Sequence, residues 1–251
     1  MTEQQMWDLF FEIHKDIPRE GPGDTESTRQ AYAALKNLPD NPRILDIGCG
    51  PGMQTLDLAH AGNGIITAID KHLPFISDLQ TKIEQQGLSQ RVKAMEADMN
   101  DLPFEDSSFD VIWAEGSIYS IGFERGLREW KSKLARKGYI AATEVSWLKT
   151  GAPQDLRDFW NQEYPDIKTI EQNLDIIQEA GYELVSHFTL PDSAWLDNYY
   201  TPLEKKIQQK LEQYRAEAEK IEFFKSQQYE IDIFRKYSDY YGYVFFVMQK
   251  S

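Results

Sequence analysis

The chain has 251 residues, 41% of them hydrophobic, and a formal net charge of −14. That is enough apolar material for one large α/β domain with a sizeable core. A balance this acidic is poorly suited to nucleic acid, whose phosphates are gripped by clustered Lys and Arg. The single cysteine, Cys49, excludes an intrachain disulfide and a cysteine-built metal site.

Residues 3–15 have the pattern of a helix, with Thr2 and Gln5 placed for a capping box. Its apolar residues lie on two sides, Met6, Leu9, Phe10 and Ile13 on one and Trp7, Phe11 and His14 on the other. The pattern predicts a helix buried on both sides, lying over the core as a lid. The start of the chain lacks the basic-then-apolar layout of a signal peptide. The apolar run Tyr243 to Met248 is too short to cross a bilayer, so a cytoplasmic protein without a membrane partner is expected. A turn-rich loop from Ile17 to Asp24 follows, and Asp24 or Thr25 caps a second helix running to about Leu38.

From Arg43 strands and helices alternate. Strands are expected at 43–47, 64–70, 92–97, 109–114, 139–145 and 183–190, with helices at about 52–61, 73–86, 122–136 and 169–180. Repeated βα units imply a mostly parallel sheet covered on both faces. Residues 194–238 break the rhythm with a helical insert. Ile207, Leu211, Tyr214, Ala218 and Ile221 form a stripe there, which either packs on the core or makes the seam of a homodimer. A final strand follows from Gly242 to Met248. The basic residues Arg125, Arg128, Lys131, Lys133, Arg136 and Lys137 have the spacing of a solvated helix face.

The organising stretch is Asp46-Ile47-Gly48-Cys49-Gly50-Pro51-Gly52, between the first strand and its helix. Glycines in such a turn let backbone N–H groups approach a ligand closely. The third glycine of a dinucleotide fingerprint is replaced by Met53, and no phosphate loop ending in Gly-Lys-Ser/Thr is present. The stretch resembles motif I of the class I S-adenosylmethionine (SAM) dependent methyltransferases of the small-molecule superfamily, with a type 11/25-like domain. Asp101-Leu102-Pro103-Phe104, continuing through Asp106, Ser108, Phe109 and Asp110, resembles the stretch before strand four in the same family.

The resemblance implies a Rossmann-like, doubly wound, seven-stranded sheet of order 3-2-1-4-5-7-6 with the last strand antiparallel. It implies one methyltransferase domain over 1–251, with a lid at 1–40, a SAM-binding core at 41–192, a cap insert at 193–240 and the final strand at 241–251. SAM is the implied cofactor and S-adenosylhomocysteine the product. Asp46, Gly48, Cys49 and Gly50 would form its turn. Asp70, twenty residues after Gly50, would take the ribose hydroxyls, with Lys71 and His72 beside it. Asp98 and Met99 would meet the adenine, and Glu115 and Gly116 would border the methyl group. Arg19 or Arg29 would pair with the methionine carboxylate. His14 is expected to be a packed histidine.

Methyl transfer to an activated carbon asks for positioning and the handling of one proton. Glu115, Tyr119 and Glu144 are the candidate catalytic residues, at the strand ends where ligands bind, with Trp147 as a further aromatic wall. Two carboxylates with aromatics suit an amine acceptor. O- or C-methylation of a small metabolite is the alternative, as is a SAM-binding sensor or scaffold that turns nothing over. A nicotinamide dehydrogenase is the weaker rival. The spacing of His, Asp and Glu suggests no metal.

Overall fold

In the computed structural model the backbone is described for residues 1–251, and the side chains for all but Glu3. The chain opens with α1 (Glu3–His14), which starts with the capping box of Thr2 and Gln5, and α2 (Thr25–Ala34), capped by Asp24. The alternating core follows as β1 (Arg43–Ile47), α3 (Met53–Ala61), β2 (Ile65–Asp70), α4 (Leu73–Gln85), β3 (Val92–Glu96) and β4 (Phe109–Ala114). Then come α5 (Phe123–Trp130), β5 (Leu134–Trp147), α6 (Gln154–Glu163), the two-residue β6 (Lys168–Thr169), α7 (Ile170–Glu179) and β7 (Tyr182–Thr189). The cap consists of α8 (Asp192–Trp195), a π-helical turn (Leu196–Tyr200), α9 (Thr201–Gln213) and α10 (Ala218–Tyr237). It leads into β8 (Tyr241–Lys250).

The strands pair in the order β3-β2-β1-β4-β5-β8-β7, with β6 attached to β5. All pairs are parallel except those of β8, which runs antiparallel to β5 and β7. Leaving out β6, this is the expected order with its antiparallel final strand. Alternating side chains divide the core in two. Ile44, Val111, Trp113, Ala141 and Phe245 face α1–α3 and the cap, while Leu45, Ile47, Ile112, Ile140 and Phe246 face the side of α5 and α7. The strand ends that carry the glycine turn and Glu115 therefore lie beside the N-terminal helices and the cap.

Several expectations need correction. The first helix is not buried on both sides: Met6 and Trp7 are 42% and 50% exposed. Trp7 instead stacks on Phe11 of its own helix. The helix expected at 122–136 ends at Trp130, and β5 begins at Leu134. Lys131 turns its ammonium onto the carbonyls of Ala180 and Gly181, and Lys137 takes a positive φ of 59° in a kink before Gly138. The kink accompanies a register shift against β4 between Phe109 and Val111. The second helix stops at Ala34, short of Leu38.

The stripe from Ile207 to Ile221 is not one helix face, because the helix breaks between Gln213 and Ala218. Ile207 is fully buried in its own chain, and Leu211 and Tyr214 pack on the same core. The first three residues of the stripe thus cover the core of their own chain, while Ala218 is exposed.

Candidate cofactor and acceptor site

The glycine turn is built by the sheet beneath it. Gly48 and Cys49 both donate their N–H to the Ile69 carbonyl, at 2.8 and 2.9 Å, which folds the turn over the end of β2. Gly48 has φ +70°, and a Cβ there would stand 2.4 Å from that of Ser117. Gly52 has φ +89°, and a Cβ there would strike Leu79. Only glycine meets both demands, a left-handed backbone and close packing. Cys49 is fully buried, and burial pushes its thiol well up, so it is a small packed residue. Asp46 is buried beneath the turn. Thr55 donates to its Oδ2 at 2.6 Å, while Oδ1 has no partner, and burial raises the carboxyl to about 7.

Asp70 stands at the end of β2 and accepts from the Gly50 N–H at 3.0 Å and the His72 N–H at 2.8 Å. Lys71 beside it is exposed. His72 precedes α4 and is stacked on Phe11 of the lid at 3.7 Å, with Phe75 edge-on at 4.5 Å. Partial burial lowers its basicity. Asp98 follows β3, where the N–H and amide of Asn100 bind it and hold its carboxyl below the usual range. The Met99 carbonyl accepts from the Trp130 indole at 3.0 Å.

Glu115, expected to border the methyl group and to handle a proton, lines the small cavity over the glycine turn beside Gly116. Its Oε1 accepts from Thr28 at 2.7 Å and from the Trp113 indole at 2.8 Å, and its Oε2 meets Arg19 at 3.3 Å. Both oxygens are engaged, so it anchors α2 to the end of β4. Arg19 was expected to reach a methionine carboxylate. Its guanidinium is buried between Glu115 and Asp57, the latter at 2.6 Å. The sequence could not reveal this, because Asp57 and Glu115 come together only when α3 and β4 share one face of the sheet. Removing Arg19 would strand two buried carboxylates, at a cost of about 3–5 kcal/mol. Arg19→Ala should therefore lower the urea midpoint sharply, with Arg19→Ala/Glu115→Gln recovering part of the loss. Arg29 lies on α2 as an exposed residue. His14 is fully buried: its Nδ1 meets the Phe10 carbonyl and its Nε2 the Tyr199 hydroxyl, and burial lowers it to about 4.

Glu144 is different. It lies near the end of β5, buried, with the Tyr164 hydroxyl donating to Oε1 at 2.8 Å and no partner on Oε2. Burial raises this carboxyl to about 8. It borders a cavity of about 420 Å³ together with Gly122, Arg125, Tyr164, Lys168 and Asn173. Tyr119 is half exposed and meets the Tyr164 ring edge-on at 6.2 Å. Trp147 packs on the apolar core rather than joining these tyrosines. Gly116, after β4, donates its N–H to Thr143 at 2.7 Å.

Sequence reasoning missed Glu20. It lines a small cavity of about 70 Å³ over the glycine turn, with Gly48, Gly50, Gln54 and Gly116. It also lines a groove of about 960 Å³ between α1 and α4, with Phe11, His72, Phe75 and Lys82. Its Oε2 is buried without a partner, and burial raises the carboxyl to about 8. A loop acid next to Gly21-Pro22-Gly23 carries no signal in sequence, and only its burial marks it.

These features fit SAM. Bare glycine backbone faces one cavity, a wide aromatic-edged groove adjoins it, and Glu20, with one carboxyl oxygen unpaired, lines both.

Residues 44–138 match the family profile described as a methyltransferase domain. The chain is 26% identical over 212 residues to the sterol 24-C-methyltransferase erg-4 of Neurospora crassa, covering 78% of this chain and 54% of that protein. It is 26% identical over 104 residues to the sarcosine/dimethylglycine N-methyltransferase of Aphanothece halophytica, covering 41% of this chain and 38% of that protein. The chain thus spans about half, or less, of the length of these curated relatives. A SAM-dependent methyltransferase from Geobacter sulfurreducens, solved with S-adenosylhomocysteine, has the same fold. Its TM-score is 0.81 at 21% identity, over 97% of this chain and 98% of that one.

The strand order, the glycine turn and the matched profile define a class I methyltransferase fold. Residues 44–138 thus carry a match to a methyltransferase domain, and the chain as a whole has the fold of class I methyltransferases. Among the described residues, no helix is long and apolar enough to cross a membrane.

Proposed function

We propose that the protein methylates a small molecule, with an amine nitrogen as the acceptor and Glu144 as the proton acceptor. The observation that carries the acceptor reading is the free, buried Oε2 of Glu144 on the wall of a cavity, with Tyr164 holding the other oxygen. When bound, SAM supplies a methyl carbon on a sulfonium, and a lone pair takes it as the carbon–sulfur bond breaks. Asp70 would hold the ribose hydroxyls, the Gly48–Gly50 turn would face the methionine part, and Asp98 and Met99 would border the adenine. Glu144 Oε2 would attract the protonated amine and take its proton, which frees the nitrogen lone pair that accepts the methyl group. The Tyr119 and Tyr164 rings would add an electron-rich wall that favours a cation. The N-terminal segment and the cap would keep water out.

Reaction of the purified protein with SAM and separate panels of amines, phenols and carboxylates tests this reading. Release of S-adenosylhomocysteine is expected with members of the amine panel alone. Turnover confined to phenols or carboxylates would overturn the amine reading and leave the class intact. Binding of SAM without turnover on any panel would favour a sensor or scaffold.

A further inference from the structure

The segment from Ile17 to Gly23 is fixed at both of its inner ends. The Arg19 N–H donates to the Asn198 carbonyl at 3.3 Å, and the Gly23 N–H to that of Ala194 at 3.0 Å. The Arg19 guanidinium is locked by Asp57 and Glu115. Between these anchors the side chain of Glu20 is laid against the glycine turn, its Cγ 3.7 Å from where a Cβ on Gly50 would be. Its Oε2 is buried and has no hydrogen-bond partner.

Two cations lie nearby, each donating to a backbone carbonyl, and neither is hydrogen-bonded to Glu20 Oε2. The Lys82 ammonium of α4 donates to the Pro51 carbonyl at 2.8 Å, and that of Lys206 on α9 donates to the Lys15 carbonyl. An orphaned carboxyl oxygen at a ligand-binding turn is costly unless the ligand supplies its partner. On the cofactor reading above, the group that this turn faces is the methionine part of SAM, which carries an α-ammonium.

We infer that Glu20 accepts the α-ammonium of the cofactor's methionine moiety, so that the N-terminal segment completes the cofactor site with an acid. This inference rests on the SAM reading of the glycine turn. Arg19, expected to hold the methionine carboxylate, lines the same cavity over this turn but is paired with Asp57 and Glu115, while its neighbour Glu20 carries the unpaired oxygen. Burial, with Asp70 at the end of β2 and Asp78 of α4 adding negative charge, holds this carboxyl up at about 8 against the pull of Lys206 and Lys82. The Tyr199 hydroxyl of the π-helical turn also feels Glu20, and Asp8, Glu12, Lys15, Asp16 and His72 line the groove with it. A bound ammonium favours the ionised form, so affinity for an ammonium-bearing ligand rises from pH 6 to pH 8.

The test is calorimetric titration of wild type, Glu20→Gln and Glu20→Ala with two probes. S-adenosylhomocysteine carries the ammonium, while 5′-methylthioadenosine lacks the whole amino-acid part. The expected result is that both variants weaken S-adenosylhomocysteine by roughly tenfold or more and leave 5′-methylthioadenosine unchanged. The pH dependence should flatten in the variants. Glu20→Gln removes a buried unpaired acid, so its melting temperature without ligand should hold or rise, which separates a binding role from a structural one. Equal S-adenosylhomocysteine affinity in wild type and variants, or an equal loss for both probes, would overturn the inference. Failure of the wild-type protein to bind S-adenosylhomocysteine would instead bring down the cofactor reading, and this inference with it.

Discussion

Replacing Asp70 with alanine is expected to weaken SAM and S-adenosylhomocysteine binding by roughly 10²- to 10³-fold. In the proposed site Asp70 would accept two charge-assisted hydrogen bonds from the ribose, at about 1.5–3 kcal/mol each, less what water restores. The same carboxylate also accepts from the Gly50 and His72 N–H groups, so the variant loses part of the turn's own support. Asp70→Asn separates the two effects, because its amide oxygen can still accept one of those bonds while the charge is gone. Calorimetry with SAM, S-adenosylhomocysteine and NAD on wild type and both variants measures it. NAD should not bind, since Met53 occupies the place of the third glycine of a dinucleotide turn. Undiminished SAM binding in Asp70→Ala would leave the glycine turn as structure alone.

The second large effect is expected at Glu144. Glu144→Gln should lower kcat by about 10²- to 10³-fold, the range for losing a positioned proton acceptor. A base must be ionised to act, and burial places this carboxyl at about 8, so wild-type kcat/KM should climb with pH towards that value. A cationic amine in contact stabilises the carboxylate, so the limb in kcat should fall at lower pH than that in kcat/KM. Both limbs should vanish in the glutamine variant.

Stability makes an independent check. The folded value lies above the ordinary 4.5, so the protonated carboxyl favours folding below pH 4.5, and that advantage is lost as the pH rises through about 8. Glutamine does not titrate, so the variant should gain stability relative to wild type across that window. A variant that lost activity together with its fold, or kept the wild-type pH profile, would remove Glu144 from this role.

Much of the sheet was legible because its signals are local. β1 and β4 are short branched runs closed by turn residues, and the structure places both at the expected bounds, 43–47 and 109–114. The glycine turn was legible for the same reason, since positive φ and close packing both point to glycine. The start of β5 was not. Residues 131–137 are rich in Lys and Arg and favour a helix, yet tertiary contacts of Lys131 with the carbonyls at 180 and 181 draw the chain away from it.

The break between α9 and α10 has a similar origin. Tyr214 to Glu217 contains no glycine or proline, but the Tyr214 hydroxyl reaches Glu12 of the lid and its ring stacks on Phe224. At the ligand end, residue types at strand ends were readable, and which groups would be left without partners was not. Glu115 and Glu144 look alike in sequence. One is saturated by Thr28, Trp113 and Arg19, and the other keeps an oxygen free.

The N-terminal segment and the cap are far apart in sequence yet stitched together in space. Besides the two backbone bonds from Arg19 and Gly23, the N-terminal ammonium pairs with Glu219, and Glu12 holds both Lys210 and Tyr214. Any movement that uncovers the glycine turn must break these ties or carry the cap with it. The two pieces thus form one roof, clasped at its outer edge by ion pairs that added salt weakens.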